Sequence, residues 1–163
     1  MVIDAAKVSS VAPPSPDEIA KVAELLGRPP EVDFEIVVID SGGEPVVIRN
    51  GPIMENGRPM PTRYWLVGRQ LSRLVGRLEG AGGVQAAELA VDADDLIAAH
   101  ERYAAERDSQ IPTGHLGPRP TGGVGGTRRG VKCLHTHLAH HLAVGDDPVG
   151  EWVVQQLEAT DLV

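Results

Sequence analysis

Apolar and polar residues alternate along the chain in two rhythms, and each rhythm predicts its own kind of element. Residues 34–40 (FEIVVID) and 45–50 (PVVIRN) are β-branched runs parted by Ser-Gly-Gly-Glu, which predicts a hairpin. Residues 63–68 (RYWLVG) predict another strand, and the Pro- and Gly-rich 51–62 predict a loop with at most a short strand in it. Residues 84–91 (VQAAELAV) also read as a strand. The helical rhythm comes first in residues 17–26, where Ile19, Val22, Ala23 and Leu26 share a face closed by Gly27 and Pro29. It returns in residues 69–79, with Leu71, Leu74, Val75 and Leu78 on one face and Arg69, Arg73 and Arg77 on another. Asp92, with Asp95 three residues on, predicts the start of a helix that runs to about Asp108. A helix over 132–144 follows, and Asp147 with Pro148 starts a last one carrying Trp152, Val153, Gln156 and Leu157. Residues 1–15 read as an extended lead-in and 109–130 as irregular.

The pattern predicts one α+β domain over 1–163: a small, largely antiparallel sheet covered by helices, with a long Gly-rich loop leading into a His-rich helix. Aromatics are only 3% of the chain, so Leu, Val, Ile and Ala must fill its core. The single cysteine excludes an internal disulfide. The first residues lack a signal peptide's apolar run, and no stretch approaches the roughly 18 to 20 apolar residues of a membrane helix. A cytoplasmic protein with no membrane partner is the expectation.

Charge changes the picture more than composition does. The formal net charge is −8, yet the residues from Arg49 to Arg77 hold six arginines against the single Glu55. From Ser109 through Gly145 there is no acid at all, and Arg119, Arg128, Arg129 and Lys132 stand there. If the two basic segments meet, they form a positive site on a negative body; alternatively they pair with the acidic helices. Arg58, Arg63, Arg69 and Arg73 would extend such a surface, with Tyr64 and Trp65 available for stacking. Glu101, Arg102, Glu106, Arg107 and Asp108 read as a solvated helix face.

Seven of the seventeen residues from Gly114 to Gly130 are glycine. Glycine lets backbone N–H groups converge on a guest, and this run leads into a helix whose N-terminus favours anions. Gly122, Gly123, Gly125, Gly126 and Thr127, with Arg119, Arg128, Arg129 and Lys132, are therefore the expected anion-binding residues. The Gly-Lys-Ser/Thr ending of a P-loop is missing, and no clear strand precedes the glycines as a dinucleotide fingerprint requires.

At about 100° per residue, Leu134, Leu138 and Leu142 form a buried stripe. Cys133, His137, His140 and His141 share an adjoining arc, and His135 lies beyond the stripe. The pairs Cys133–His137 and His137–His141 have the i, i+4 spacing at which two helical side chains hold one metal. Cys133, His137 and His141 are the expected ligands of zinc or another divalent transition metal, with His115, His140 or His100 as a further ligand. Two alternatives stay open: caps and packing, or non-metal catalysis with Cys133 as nucleophile and a histidine as base. Asp146 or Asp147 would serve a metal or, for Asp147, a cap.

The blocks GPRPTGGVGGTRRGVKCLHTHLAHHLAVGDDPVGEWV and PTRYWLVGRQLSRLVGRLEGAGG resemble the domain of unknown function 501 family. The resemblance implies no activity. The residues lead instead to an expected enzyme acting on a small phosphorylated or anionic ligand, by metal-dependent hydrolysis, with Cys133, His137 and His141 as the catalytic group. The alternative is a non-catalytic module that binds RNA, polyphosphate or an acidic protein partner.

Overall fold

A computed structural model describes residues 3–160. Its sheet has four antiparallel strands in sequential order: β1 (Ala6–Lys7), β2 (Phe34–Ile39), β3 (Pro45–Asn50) and β4 (Tyr64–Leu66). The β2–β3 turn is closed by Asp40, whose Oδ1 accepts the N–H groups of Gly42 and Glu44. β1 lies inside the expected lead-in, pairing Ala6 with Ile39.

Six helices surround this sheet: α1 (Pro16–Leu26), α2 (Arg69–Gly80), α3 (Gly83–Ala90), α4 (Ala93–Ser109), α5 (Leu134–Val144) and α6 (Pro148–Thr160). The fold is α+β, as expected. α1 starts one residue before its expected first position because Ser15 and Glu18 form a reciprocal capping box. On one face of the sheet, Phe34, Ile48 and Val67 pack with Val22 of α1. On the other, Val47, Tyr64 and Leu66 pack with Leu71 and Val75 of α2, Leu134 and Leu138 of α5, and Val149 and Val153 of α6. Each such side chain contributes about 1.5–3 kcal/mol on full burial.

One expected strand is wrong. Residues 84–90 of that segment form most of α3, with Gly83 and Ala87 buried one turn apart against the neighbouring helices. Ala, Gln, Glu and Leu favour helix, and two flanking valines do not outweigh them. No helix among the described residues is long and apolar enough to cross a membrane.

Candidate functional site

α5 starts two residues later than expected, at Leu134, and this moves the chemistry. Cys133 becomes the extended N-cap residue (φ −149°, ψ 121°), off the helical arc it was expected to share with His137. Its Sγ faces Nδ1 of His135 at 3.9 Å. Glu79, next to last in α2, brings a carboxylate to the same point. Its Oε1 accepts the Leu134 N–H at 2.7 Å and lies 3.2 Å from His135 Nδ1. The ligand atoms of Glu79, Cys133 and His135 all fall within 4.8 Å of one another, and all three residues are half-buried.

The proton on His135 is constrained by its far side. Nε2 lies 3.0 Å from the Ser72 carbonyl, which can only accept, so that nitrogen keeps its hydrogen. In a neutral ring, the Nδ1 lone pair then points at a thiol sulfur and a carboxylate. Three electron-rich atoms facing one another require a cation between them, either a proton or a metal ion. The hydrogen bond to Cys133, acting against burial, raises the His135 pKa to about 9. Burial pushes the Cys133 thiol up, but hydrogen bonding from His135 and Thr136 outweighs it and leaves the thiol lowered.

The expected metal set Cys133, His137 and His141 is not assembled. His137 is fully buried and donates Nδ1–H to both oxygens of Asp147, at 2.9 and 2.8 Å. His140 donates Nδ1–H to Asp147 Oδ2 at 2.9 Å. The same carboxylate caps α6 by accepting the Val149 and Gly150 N–H groups. Burial alone would raise the Asp147 pKa, yet the hydrogen bonds from His137 and His140 hold it far below the usual carboxylate range. A β-carbon at Gly150 would overlap His141 and the His137 carbonyl, so glycine there lets α5 and α6 approach closely. His141 is turned toward that helix crossing, with Nδ1 buried and unpartnered among the described residues.

The further ligands foreseen for this set are engaged elsewhere. His115 bonds the Pro118 carbonyl within its own loop. His100 is a staple for the glycine loop: its Nδ1 accepts the Val124 N–H at 3.0 Å, and its Nε2–H donates to the Gly130 carbonyl at 2.9 Å. A β-carbon at Gly123 would collide with His100, which is why this contact needs glycine. Arg107, fully buried rather than solvated, ties the glycine loop to the β3–β4 loop through the carbonyls of Gly122 and Pro61.

Several of the loop's amides are engaged within the protein. Gly123 N–H bonds the Thr127 carbonyl, Gly126 N–H bonds the Gly123 carbonyl, and the Thr127 hydroxyl is held by Arg129. Glu88 of α3 accepts the Val131 N–H at 2.9 Å. The segment without acids is thus served by carboxylates from other elements, Glu79, Glu88 and Asp147. Of the amides expected to form a cradle from Gly122 to Thr127, those of Gly123, Val124 and Gly126 are taken by partners within the protein. The basic side chains expected beside them, Arg119, Arg128, Arg129 and Lys132, are exposed and make no side-chain hydrogen bond or ion pair with described residues. A β-carbon at Gly125 would touch Lys132, Thr136 and Cys133, so the loop's tip lies over the start of α5.

The first basic segment divides. Arg49, Arg63 and Arg69 pair with Glu35, Glu106 and Glu24, whereas Arg73 and Arg77 have no such partner among the described residues. Glu79 was not foreseen. Its signal was electrostatic: it is the only acid between Glu55 and Glu88, in a helix's last turn, where the dipole disfavours a carboxylate.

No curated protein and no solved structure matches this chain. A family model described as "Protein of unknown function (DUF501)" matches residues 36–155, most of the chain, and the protein belongs to that family.

Proposed function

We propose that Glu79, Cys133 and His135 form a zinc-class metal centre for hydrolysis of a small phosphorylated ligand. Supporting this reading is the commitment of His135 Nε2–H to the Ser72 carbonyl, with Nδ1 turned toward Cys133 and Glu79. A carbonyl on the far nitrogen is the usual orienting partner of a ligating imidazole. Thiolate, imidazole and carboxylate together suit zinc, and three protein ligands leave a position for water. A divalent ion held there supplies Lewis acidity and an activated water. Lys132, next to Cys133 in the chain, with Arg128 and Arg129 exposed on the loop that leads to it, attracts the substrate's anionic group.

Untagged protein, analysed for metals after gel filtration, carries close to one zinc or related ion per chain. Cys133→Ser and His135→Ala lose it together with phosphomonoesterase activity. Wild-type protein that stays metal-free at micromolar zinc overturns the reading. A second reading has its own support: the raised His135 and lowered Cys133 describe a thiolate–imidazolium pair competent as a nucleophile without metal. Covalent trapping of Cys133 by a substrate-like electrophile, in chelator-treated protein that keeps its activity, decides for that reading.

A further inference from the structure

A second basic feature lies at the opposite end of α2 from Glu79. An open groove of about 520 Å³ is lined by Leu25 and Leu26 of α1, Trp65 of β4, and Arg28, Arg69 and Arg73. None of its lining residues is acidic. Trp65 is half-buried, and the Arg28 guanidinium lies 5.5 Å from its ring centroid, within cation–π range. Arg69 and Arg73 stand one turn apart on α2. Arg73 makes no ion pair with a described residue. Arg69 pairs with Glu24, but both side chains are more than half exposed, so that pair is weak and exchangeable.

We propose that this groove binds a nucleoside phosphate. The base stacks on the Arg28–Trp65 platform against Leu25 and Leu26, and the phosphates take the guanidinium forks of Arg69 and Arg73. Charge selects a short ligand over a long strand. Glu24 and Glu31 lie beside the groove, paired at the surface with Arg69 and Arg28, and the chain is net −8, so a polyanion leaving the groove meets like charge. The proposal stands apart from the metal reading, although Ser72, which holds His135, also lines the groove.

The test is binding of ADP to full-length protein in chelator, followed by tryptophan fluorescence and calorimetry. ADP binds saturably, while adenosine and pyrophosphate each bind at least about tenfold more weakly. Arg73→Ala and Trp65→Phe each weaken ADP binding about tenfold or more without altering the circular dichroism spectrum. Trp65→Phe also abolishes the fluorescence response, which separates Trp65 from Trp152. Cys133→Ser binds ADP as wild type does, so failure of the metal reading leaves this result intact. The proposal is overturned if ADP does not saturate at millimolar concentration, or if Arg73→Ala binds it unchanged. Pyrophosphate binding as tightly as ADP, or an oligonucleotide binding more tightly with a steep salt dependence, also overturns it.

Discussion

The two ends of α5 use the same materials to opposite effect. Toward its C-terminal half, His137 and His140 close on Asp147 with almost no solvent exposure, and the carboxylate also takes two backbone N–H groups. At its N-terminus, His135 meets Cys133 and Glu79 half-exposed, with one nitrogen committed and the other facing a thiol sulfur and a carboxylate. The first arrangement pairs the carboxylate it buries and is closed to solvent, with His137 Nε2 left unpartnered among the described residues. The second leaves a lone pair of His135 open to a shared proton or a bound ion. Histidine content alone does not separate a site from a core; satisfaction and access do.

The largest effect expected is on the sealed centre. Asp147→Ala strands two buried imidazoles and uncaps α6, so stability falls by about 3–5 kcal/mol, on the scale of breaking a buried pair. For a chain of this size that lowers Tm by about 10 °C or more. The carboxylate's low pKa gives the same centre an acid limit. Its stabilisation is fully present above the ordinary carboxylate value of 3.8 and is lost as pH falls through the lower folded-state value. A fluorescence-monitored urea series across that range measures it. An Asp147→Ala protein as stable as wild type would erase the contrast between the two ends.

The contrast sharpens when metal is counted. His137→Ala destabilises the fold yet leaves metal stoichiometry intact. His135→Ala does the reverse, losing the ion while apo-state stability changes by about 1 kcal/mol, the scale of a half-buried hydrogen bond. Elemental analysis beside denaturant curves for the two variants tests this, and metal loss in His137→Ala alone would move the centre to the buried end.

Alkylation follows the open end by pH. In chelator-treated protein, iodoacetamide reacts with Cys133 with a midpoint below the ordinary thiol value of 9.0. His135→Asn removes the partner that lowers the thiol while its burial remains, so the midpoint rises, with a correspondingly slower reaction at neutral pH. An unchanged midpoint would mean that the imidazole does not act on the thiol.

Much of this fold is legible in residue order because its cause is local. The β2–β3 hairpin and the caps at Asp92 and Asp147 follow from turn residues and apolar periodicity within a few positions. The α3 segment misleads because its valines at 84 and 91 flank a run of helix formers. The site is harder, since its members come from α2 and α5, and the two-residue shift in the start of α5 exchanges His137 for His135 as the neighbour of Cys133. The missing acids of 109–145 have a further cause that the segment alone does not show, because carboxylates reach it from other elements. Donors of that segment are met by Glu79, Glu88 and Asp147.

His100 joins the two ends and gives the smallest effect. Burial lowers its pKa from the usual 6.5, acting against its bond to Gly130. The neutral ring is needed because Nδ1 must accept from Val124 while Nε2 donates to Gly130. Its neighbours include the His137 ring, 5.6 Å away, with Asp147 beyond it. A depressed base stabilises the fold above its unfolded value, and that contribution declines as pH drops below 6.5 toward the folded-state value. Protonation breaks the Val124 bond first, costing about 1 kcal/mol and freeing the loop tip that lies over Cys133. Hydrogen exchange at Val124, corrected for intrinsic rates, accelerates severalfold from pH 7 to 5.5 while amides of the sheet do not. If the loop and sheet amides change in parallel, the unfolding is global, and His100 is a passenger rather than the clasp between core and site.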